Sequence, residues 1–337
     1  MSSLPCGKLP ADLLRSLLAS FAPHDPRVVV GPRVGVDAAV IDMGDRYLVA
    51  KTDPVTFATD EIGRYAVNVC ANDVACCGAV PLWFLATLLL PERGTTSELV
   101  EQIFAELSDA CQQLAVSLCG GHTEITVGLD RVIVVGQMLG EAPRERLVTS
   151  AGAQVGDVLL ATKAIAIEGT ALLAREIPDK LAGLFSRDEI RRLRELLHTP
   201  GISVVREAQL ALEAGGVHAL HDPTEGGLAT GVRELAEASQ VGVVVEEERI
   251  PVLAECERIC RQFQLDPLGL IASGTLLISA AAERADAIVS RLAADGLTAT
   301  PIGYVVPATQ GCTLLRRGGQ GGELPRFARD ELLRVLG

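Results

Sequence analysis

The 337-residue chain has no run of about 18 apolar residues free of polar interruption, so no segment has the length and character of a membrane-spanning helix. Its first stretch, MSSLPCGKLPADLLRSLLAS, has no cationic flank leading into an uninterrupted apolar run, and a cytoplasmic protein is expected. Positive charge is in deficit: 30 Lys and Arg stand against 43 Asp and Glu, a net charge of −13. That balance argues against a nucleic-acid backbone or an anionic membrane as the main partner, since both need a basic surface. A small substrate or a protein partner is expected instead. Two nucleotide signatures are also missing: no GxxxxGK[ST] phosphate loop occurs, and no GxGxxG opens a helix after a strand. Any nucleotide site must be built another way.

Cysteine is present in odd number, nine in all, without a secretory signal, which predicts mostly free thiols. Cys256 and Cys260, in CERIC, fall on one helix face, but a zinc site wants about four ligands and no matching pair is evident, so they read as structural. Three more cluster in NVCANDVACCGAVP, Asn68 to Pro81, beside Asn72 and Asp73.

The length suits two domains with a core each. Residues 1–27 read as an N-terminal arm with an amphipathic segment over Asp12 to Phe21, stopped by the prolines of APHDP. Residues 28–150 form a first domain. Its apolar runs near 28–50 predict strands, with a helix over 60–77 capped by Asp60, the strand LWFLATLLL, a helix over 97–115 and the strand RVIVVGQMLGEA. A second αβ series, 151–337, begins at AGAQVGDVLLAT; strands at VHALH, VGVVVEE, GTLLISA and TPIGYVV alternate with helices near 169–176, 187–197, 203–214, 227–238, 253–263 and 282–294. The tail, TLLRRGGQGGELPRF, has a hairpin-like glycine turn. The fold class expected is α/β.

Acids recur at the ends of apolar runs: Asp37 in GVDAAV, Asp53 in KTDPV, Asp73 in CANDVA and Asp222 in HDPTEGG. Each alone reads as a turn or cap residue. Four together suggest hard oxygen ligands for magnesium, which is usually held by a few carboxylates and substrate phosphates. Three glycine-rich segments, CGGHTE (119–124), IEGTA (167–171) and PTEGGLA (223–229), read as turns whose N–H groups approach an anion, or as ordinary loops and helix starts. His122, beside Glu124, reads as an acid–base candidate or as a loop hydrogen-bond donor, and His221 beside Asp222 is equally two-sided.

Taken in order, these motifs resemble the PurM-like superfamily of ATP-dependent enzymes, and within it the HypE family of hydrogenase maturation. GVDAAV is similar to that family's Asp-Asp-Ala-Ala, KTDPV to its Thr-Asp-Ser, and NDVACCGAVP to its Asn-Asp-hydrophobic-Ala-x-x-Gly-Ala-x-Pro. HDPTEGGLA resembles Arg-Asp-Pro-Thr-Arg-Gly-Gly-Leu, QLDPLGLIASGTLLIS resembles the Leu-Asp-Pro-Leu segment, and GELPRF the closing Leu-Pro-Arg. The likeness runs from about residue 28 to 327. It implies two α/β domains, the first forming a shared β-barrel in a homodimer and the second an α/β sandwich. It implies ATP and Mg2+ as cofactors, with Asp37, Asp53 and Asp73 as metal ligands. Asn72 is implied beside them; Gly120, Gly121, Gly169, Asp222, Gly226 and Gly227 are then expected at the nucleotide, and His122, Glu124 and Lys163 are the candidates for the second substrate.

Departures from the HypE pattern bear on that second substrate. The tail ELPRFARDELLRVLG has Phe327 and Ala328 where that pattern has Ile-Cys, and no cysteine follows Cys312. GHTE stands where the pattern has Gly-Asp-Thr-Lys, Ser273 stands where a Glu precedes the Gly of its Glu-Gly motif, and Val36 precedes Asp37 where two acids are common. The resemblance therefore implies an ATP- and magnesium-dependent enzyme that activates a carbonyl, amide or carbamoyl oxygen by phosphorylation, with a possible maturation-protein partner. Two alternatives remain open. One is a phosphotransferase like thiamine-monophosphate kinase or selenophosphate synthetase, for whose reactive thiol Cys6 is the one candidate; the other is an inactive nucleotide-binding scaffold.

Overall fold

The computed structural model describes residues 4, 9–21, 23–36, 38–56 and 60–336. In chain order the elements are α1 (Ala11–Leu18), β1 (Val28–Val30), β2 (Ala39–Asp42), β3 (Arg46–Val55), α2 (Ile62–Cys76), β4 (Val80–Pro91), α3 (Ser97–Gln113), β5 (Ser117–Thr126) and β6 (Ile133–Pro143). There follow β7 (Val158–Thr162), α4 (Ile167–Glu176), α5 (Pro178–Leu181), α6 (Arg187–Arg194), α7 (Val205–Ala214), β8 (Val217–His221), α8 (Gly227–Ser239) and β9 (Val241–Glu246). The chain continues through α9 (Ala254–Phe263), β10 (Leu277–Ala280), α10 (Ala285–Ala293), β11 (Ala299–Pro307), β12 (Cys312–Leu315), β13 (Gly321–Glu323) and α11 (Leu333–Leu336). They divide into a smaller unit, 22–32 with 37–147, and a larger one, 1–21 with 33–36 and 148–337.

The smaller unit has one six-stranded sheet in the order β1-β2-β3-β6-β4-β5. Every pairing is antiparallel except β4 with β5. α2 packs on β3 and β6, with α3 beside it. Small residues let α2 come close: a Cβ on Gly136 would lie 2.8 Å from Cys70 Sγ, one on Gly140 2.5 Å from Val74 Cγ1, and one on Gly63 2.9 Å from the Ile103 carbonyl oxygen. The helix is buried along almost its whole length, and Cys70 and Cys76 within it and Cys77 at its end are buried. α3 buries Ile103, Leu107 and Ala110, as their spacing predicts.

Two local expectations are corrected here. Asp60 does not cap α2: the position before the helix is Glu61, in a left-handed conformation, with no side-chain cap. CGGHTE is not a turn but the middle of β5, running parallel to β4 with Gly120 opposite Leu85 and Gly121 opposite Ala86. The glycine serves strand pairing, since a Cβ on Gly121 would stand 1.9 Å from the Ala86 carbonyl oxygen.

The larger unit has a seven-stranded sheet in the order β13-β12-β9-β11-β7-β10-β8. Only β12 with β9 is parallel. Apolar residues of the strands, among them Leu159, Val243, Val245, Leu277 and Ile302, meet Leu173 of α4, Leu228, Val232 and Leu235 of α8, and Ile259 of α9 in one core. β12 and β13 form the glycine-turn hairpin expected in the tail. Both units mix helices with a sheet, the α/β class expected. Among the described residues no helix is long and apolar enough to cross a membrane.

Candidate functional site

In the smaller unit, β3 and α2 bring two of the expected acids to one point. Lys51 and Asp53 alternate along β3 and so share a face. Asp73 projects from α2 toward them, one helical turn beyond Cys70. Lys51 Nζ lies 2.8 Å from Asp73 Oδ2 and 3.8 Å from Asp53 Oδ2. The side chain of Asp73 is only 6% exposed, against 36% for Asp53. A carboxylate so deeply placed requires a cation, and the Lys51 ammonium supplies it. Asn72 is fully buried beside it. Asp37, the third expected ligand, lies outside the described residues. Among the described residues no group of three or more His, Cys, Asp or Glu side chains is arranged to hold a metal.

This arrangement attracts positive charge to Asp53 and Asp73. The pair therefore fits a magnesium ion, for which Lys51 Nζ is the resident stand-in cation. Cys70 takes no part as a ligand here: burial first, then the charges of Asp73 and Asp53, push its thiol well above the ordinary cysteine range. It is a protonated packing group that accepts a hydrogen bond from the Asp53 backbone N–H.

His122 and Glu124 lie on exposed β5, with His122 Nε2 3.7 Å from Glu124 Oε2 and the two side chains 69% and 54% exposed. All ten residues of β5 except Thr126 are exposed, Ile125 included, and among the described residues its only partner strand is β4.

In the larger unit, Lys163 is not available as the sequence suggests. It is buried, with Nζ 2.7 Å from Glu207 Oε1, and it donates to the Ser203 carbonyl at 2.6 Å and the Gly201 carbonyl at 3.3 Å. All three ammonium hydrogens are thus committed, so Lys163 is a strut between the end of β7 and the start of α7 rather than a substrate ligand. Burial lowers its pKa, and Glu207 opposes that shift. The glycine amides are likewise engaged. Gly169, inside α4, donates to the Ile271 carbonyl at 3.1 Å, and Gly227 donates to the Thr224 carbonyl at 3.0 Å. Gly226 donates to an anion, but that anion is the carboxylate of Asp330, Oδ2 at 2.8 Å. His221 Nε2 meets Glu234 Oε2 at 3.1 Å, and Asp222 next to it is buried.

Sequence reasoning misses Lys51, Glu168 and Asp330. Glu168, second residue of α4, is 4% exposed, and its Oε2 has no hydrogen-bond partner. Burial pushes its carboxyl up to about 7; the hydroxyl and N–H of Ser273 donate to it and oppose the shift, while Asp330 and Asp222 add to it. Asp330 is raised mainly by burial, against hydrogen bonds from the N–H groups of Leu332, Gly226 and Ile271. The signal for Glu168 was an acid inside the otherwise apolar IEGTALLA run; for Lys51 it was a cation two residues from Asp53 in a strand.

The comparisons with known proteins agree with this architecture. Residues 35–142 match the AIR synthase related protein N-terminal domain, and 154–312 its C-terminal domain. The carbamoyl dehydratase HypE of Cupriavidus necator is 32% identical over 284 residues, spanning 81% of this chain and 78% of that protein. A hydrogenase expression/formation protein of Methanocaldococcus jannaschii is 30% identical over 284 residues, 82% of this chain and 81% of that one. The crystal structure of the hydrogenase maturation protein HypE in complex with ATP superposes with a TM-score of 0.71 at 24% identity, covering 95% of this chain and 91% of that one. The chain belongs to the AIR synthase-related, PurM-like superfamily, as a HypE-like member.

Proposed function

We propose that the protein is an ATP- and Mg2+-dependent enzyme that phosphorylates a carbonyl, amide or carbamoyl oxygen of a small substrate. The observation that carries this reading is the convergence of Asp53 and the buried Asp73 on one cation, in a chain whose relatives include carbamoyl dehydratases and a protein of the same fold bound to ATP. Asp53 and Asp73, with Asp37, would hold the metal, and Asn72 would stand beside it. Bound magnesium would neutralise charge on the transferred phosphoryl group. The protein's own part is to hold a dense pocket of negative charge ready for the metal, with Lys51 keeping that charge paired until it arrives. In the larger unit, Asp222 and Gly226 are the candidates for the nucleotide, with Gly226 available only once Asp330 yields its amide and Gly227 held by the Thr224 carbonyl. His122 and Glu124, on exposed β5, remain the candidates for the second substrate in the smaller unit.

The same reading takes the protein to be a homodimer, supported by β5: a ten-residue strand open along one edge and exposed on its faces is the kind of edge a second copy covers. The hydrogenase-maturation relatives also point to another maturation protein as a partner. One experiment addresses the activity and the assembly together. The protein is expected to sediment as a dimer and, given ATP, Mg2+ and S-carbamoyl-N-acetylcysteine as probe, to release ADP and phosphate in step. AMP in place of ADP would favour chemistry like that of selenophosphate synthetase, and a monomer that releases neither would overturn the proposal.

A further inference from the structure

A cavity of about 590 Å³ opens on the larger unit between α8, the start of β9 and the β11–β12 connection, and none of the residues expected at the metal, the nucleotide or the second substrate lines it. Two guanidiniums do, Arg233 of α8 and Arg326 just beyond β13. Both donate to one oxygen, Glu323 Oε1, each at 3.0 Å. Arg233 is fixed in place: its side chain is 17% exposed, and it also donates to the carbonyls of Pro325, at 3.3 Å, and Leu324. Glu323 is held far less firmly. Its side chain is 67% exposed, and it ends the three-residue β13 at the edge of the sheet. Hydrogen bonds from Arg326, then from Arg233, hold its carboxyl below its ordinary value, as befits an anion already seated on two cations. The other acid on the lining, Glu237, is matched separately by Arg15 Nη2 at 2.6 Å. Cys312 lines the cavity too, but burial pushes its thiol up in spite of Arg233 and Arg326, so it stays protonated and is no nucleophile.

We infer that this cavity binds a small organic acid whose carboxylate takes the place of the Glu323 carboxylate between Arg233 and Arg326. Two guanidiniums converging on one carboxylate oxygen, one of them immobilised by backbone carbonyls, form a receptor for such a group before any ligand arrives. Glu323 is a weak occupant of it, because an exposed ion pair contributes little to stability. The open volume is that left with Glu323 in place, and it falls within the roughly 300–1,000 Å³ of sites that hold small molecules. Thr309, Gln310 and Thr313 give its wall hydrogen-bonding groups, and Val241 and Ala308 an apolar part, so the acid it fits carries polar substituents on a short carbon chain. Every residue concerned belongs to the larger unit, and the site stands whether or not the ATP-dependent reading holds.

The test is calorimetric titration of acetate, succinate, citrate and inorganic phosphate, each at millimolar concentration, into the full-length wild type, Glu323→Ala and Arg326→Ala, without nucleotide or Mg2+. At least one of the three carboxylates is expected to bind the wild type. It should bind Glu323→Ala about 5-fold more tightly, because the internal competitor and its like charge are gone. It should bind Arg326→Ala about 10-fold more weakly or worse, for want of one charge-assisted donor. Both substitutions fall at exposed side chains, and a gain of affinity in Glu323→Ala is not something a damaged fold produces. Carboxylate binding that is equal in the three proteins, that weakens in Glu323→Ala or that is absent from all of them would overturn the inference. So would phosphate binding where none of the carboxylates binds. None of these results bears on whether the protein forms ADP, so this inference and the proposed activity fail separately.

Discussion

Lys163→Met is expected to lower the free energy of unfolding by about 3–5 kcal/mol, the usual cost of removing one partner of a buried ion pair. The reason is what stays behind. Glu207 is 3% exposed at its side chain and has Lys163 Nζ at 2.7 Å, so without the ammonium a carboxylate is left charged in the interior or must take up a proton. The carbonyls of Gly201 and Ser203 lose their donor as well. Lys163 also holds a left-handed backbone conformation, φ 53°, which methionine neither relieves nor worsens, so the loss reports the side chain. Denaturant unfolding measures it. In Lys163→Met/Glu207→Leu most of the loss should return, because an apolar pair of similar volume leaves no charge unpaired. A drop below about 1 kcal/mol in the single variant would mean that Glu207 is reached by water, and would reopen Lys163 as a group available to substrate.

The second large effect is on the pH dependence of stability, and it belongs to Glu168. Its carboxyl titrates at about 7 in the folded protein against 4.5 ordinarily. Between those values the folded state holds a proton that the unfolded state has released, so stability falls as pH rises from about 4.5 to about 7 and levels off above. At 1.36 kcal/mol per pK unit the whole shift is worth about 3 kcal/mol. Glu168→Gln keeps the shape and removes the titration. Above pH 7 the variant is therefore expected to be the more stable protein by up to that amount, while below pH 4.5 the two converge. Unfolding curves at a series of pH values test this, and profiles that run parallel throughout would show that Glu168 is not held protonated by its burial.

These two residues also show where sequence reasoning stops. The order of acid and glycine motifs was legible, because strand-end acids and glycine-marked turns are local features. Hence the α/β class and most of the helices could be anticipated, whereas a shared role for Asp53 and Asp73 came only from the family resemblance and not from any local feature. What a residue's hydrogens are used for is not local. Lys163 reads as a free cation until Glu207, 44 positions later in the chain, is folded against it. Gly226 offers an amide to an anion, as its motif suggests, but the anion comes from Asp330 at the far end of the chain. Gly120 and Gly121 read as a turn because paired glycines usually are one; the close approach of β4 to Gly121 is a tertiary demand that overrides the local preference. Glu168 is not legible in the sequence, because a single acid in an apolar helix gives no sign of whether it faces water or Ser273. The cysteines beside Asp73 are packing groups: the thiol of Cys70 lies against Gly136, in the interior of the smaller unit.

The central claim is that Asp53 and Asp73 form the seat of a metal-bound nucleotide, with Lys51 as the resident cation. Calorimetric titration of ATP into the wild type and into Asp73→Asn, each with and without Mg2+, measures this most directly. The wild type is expected to bind ATP only when Mg2+ is present. Asp73→Asn is expected to weaken that binding by more than the roughly 10–100-fold that loss of an outer-shell partner costs at a metal site, with its fold intact. Binding that is indifferent to Mg2+, or equal in the two proteins, would contradict the account.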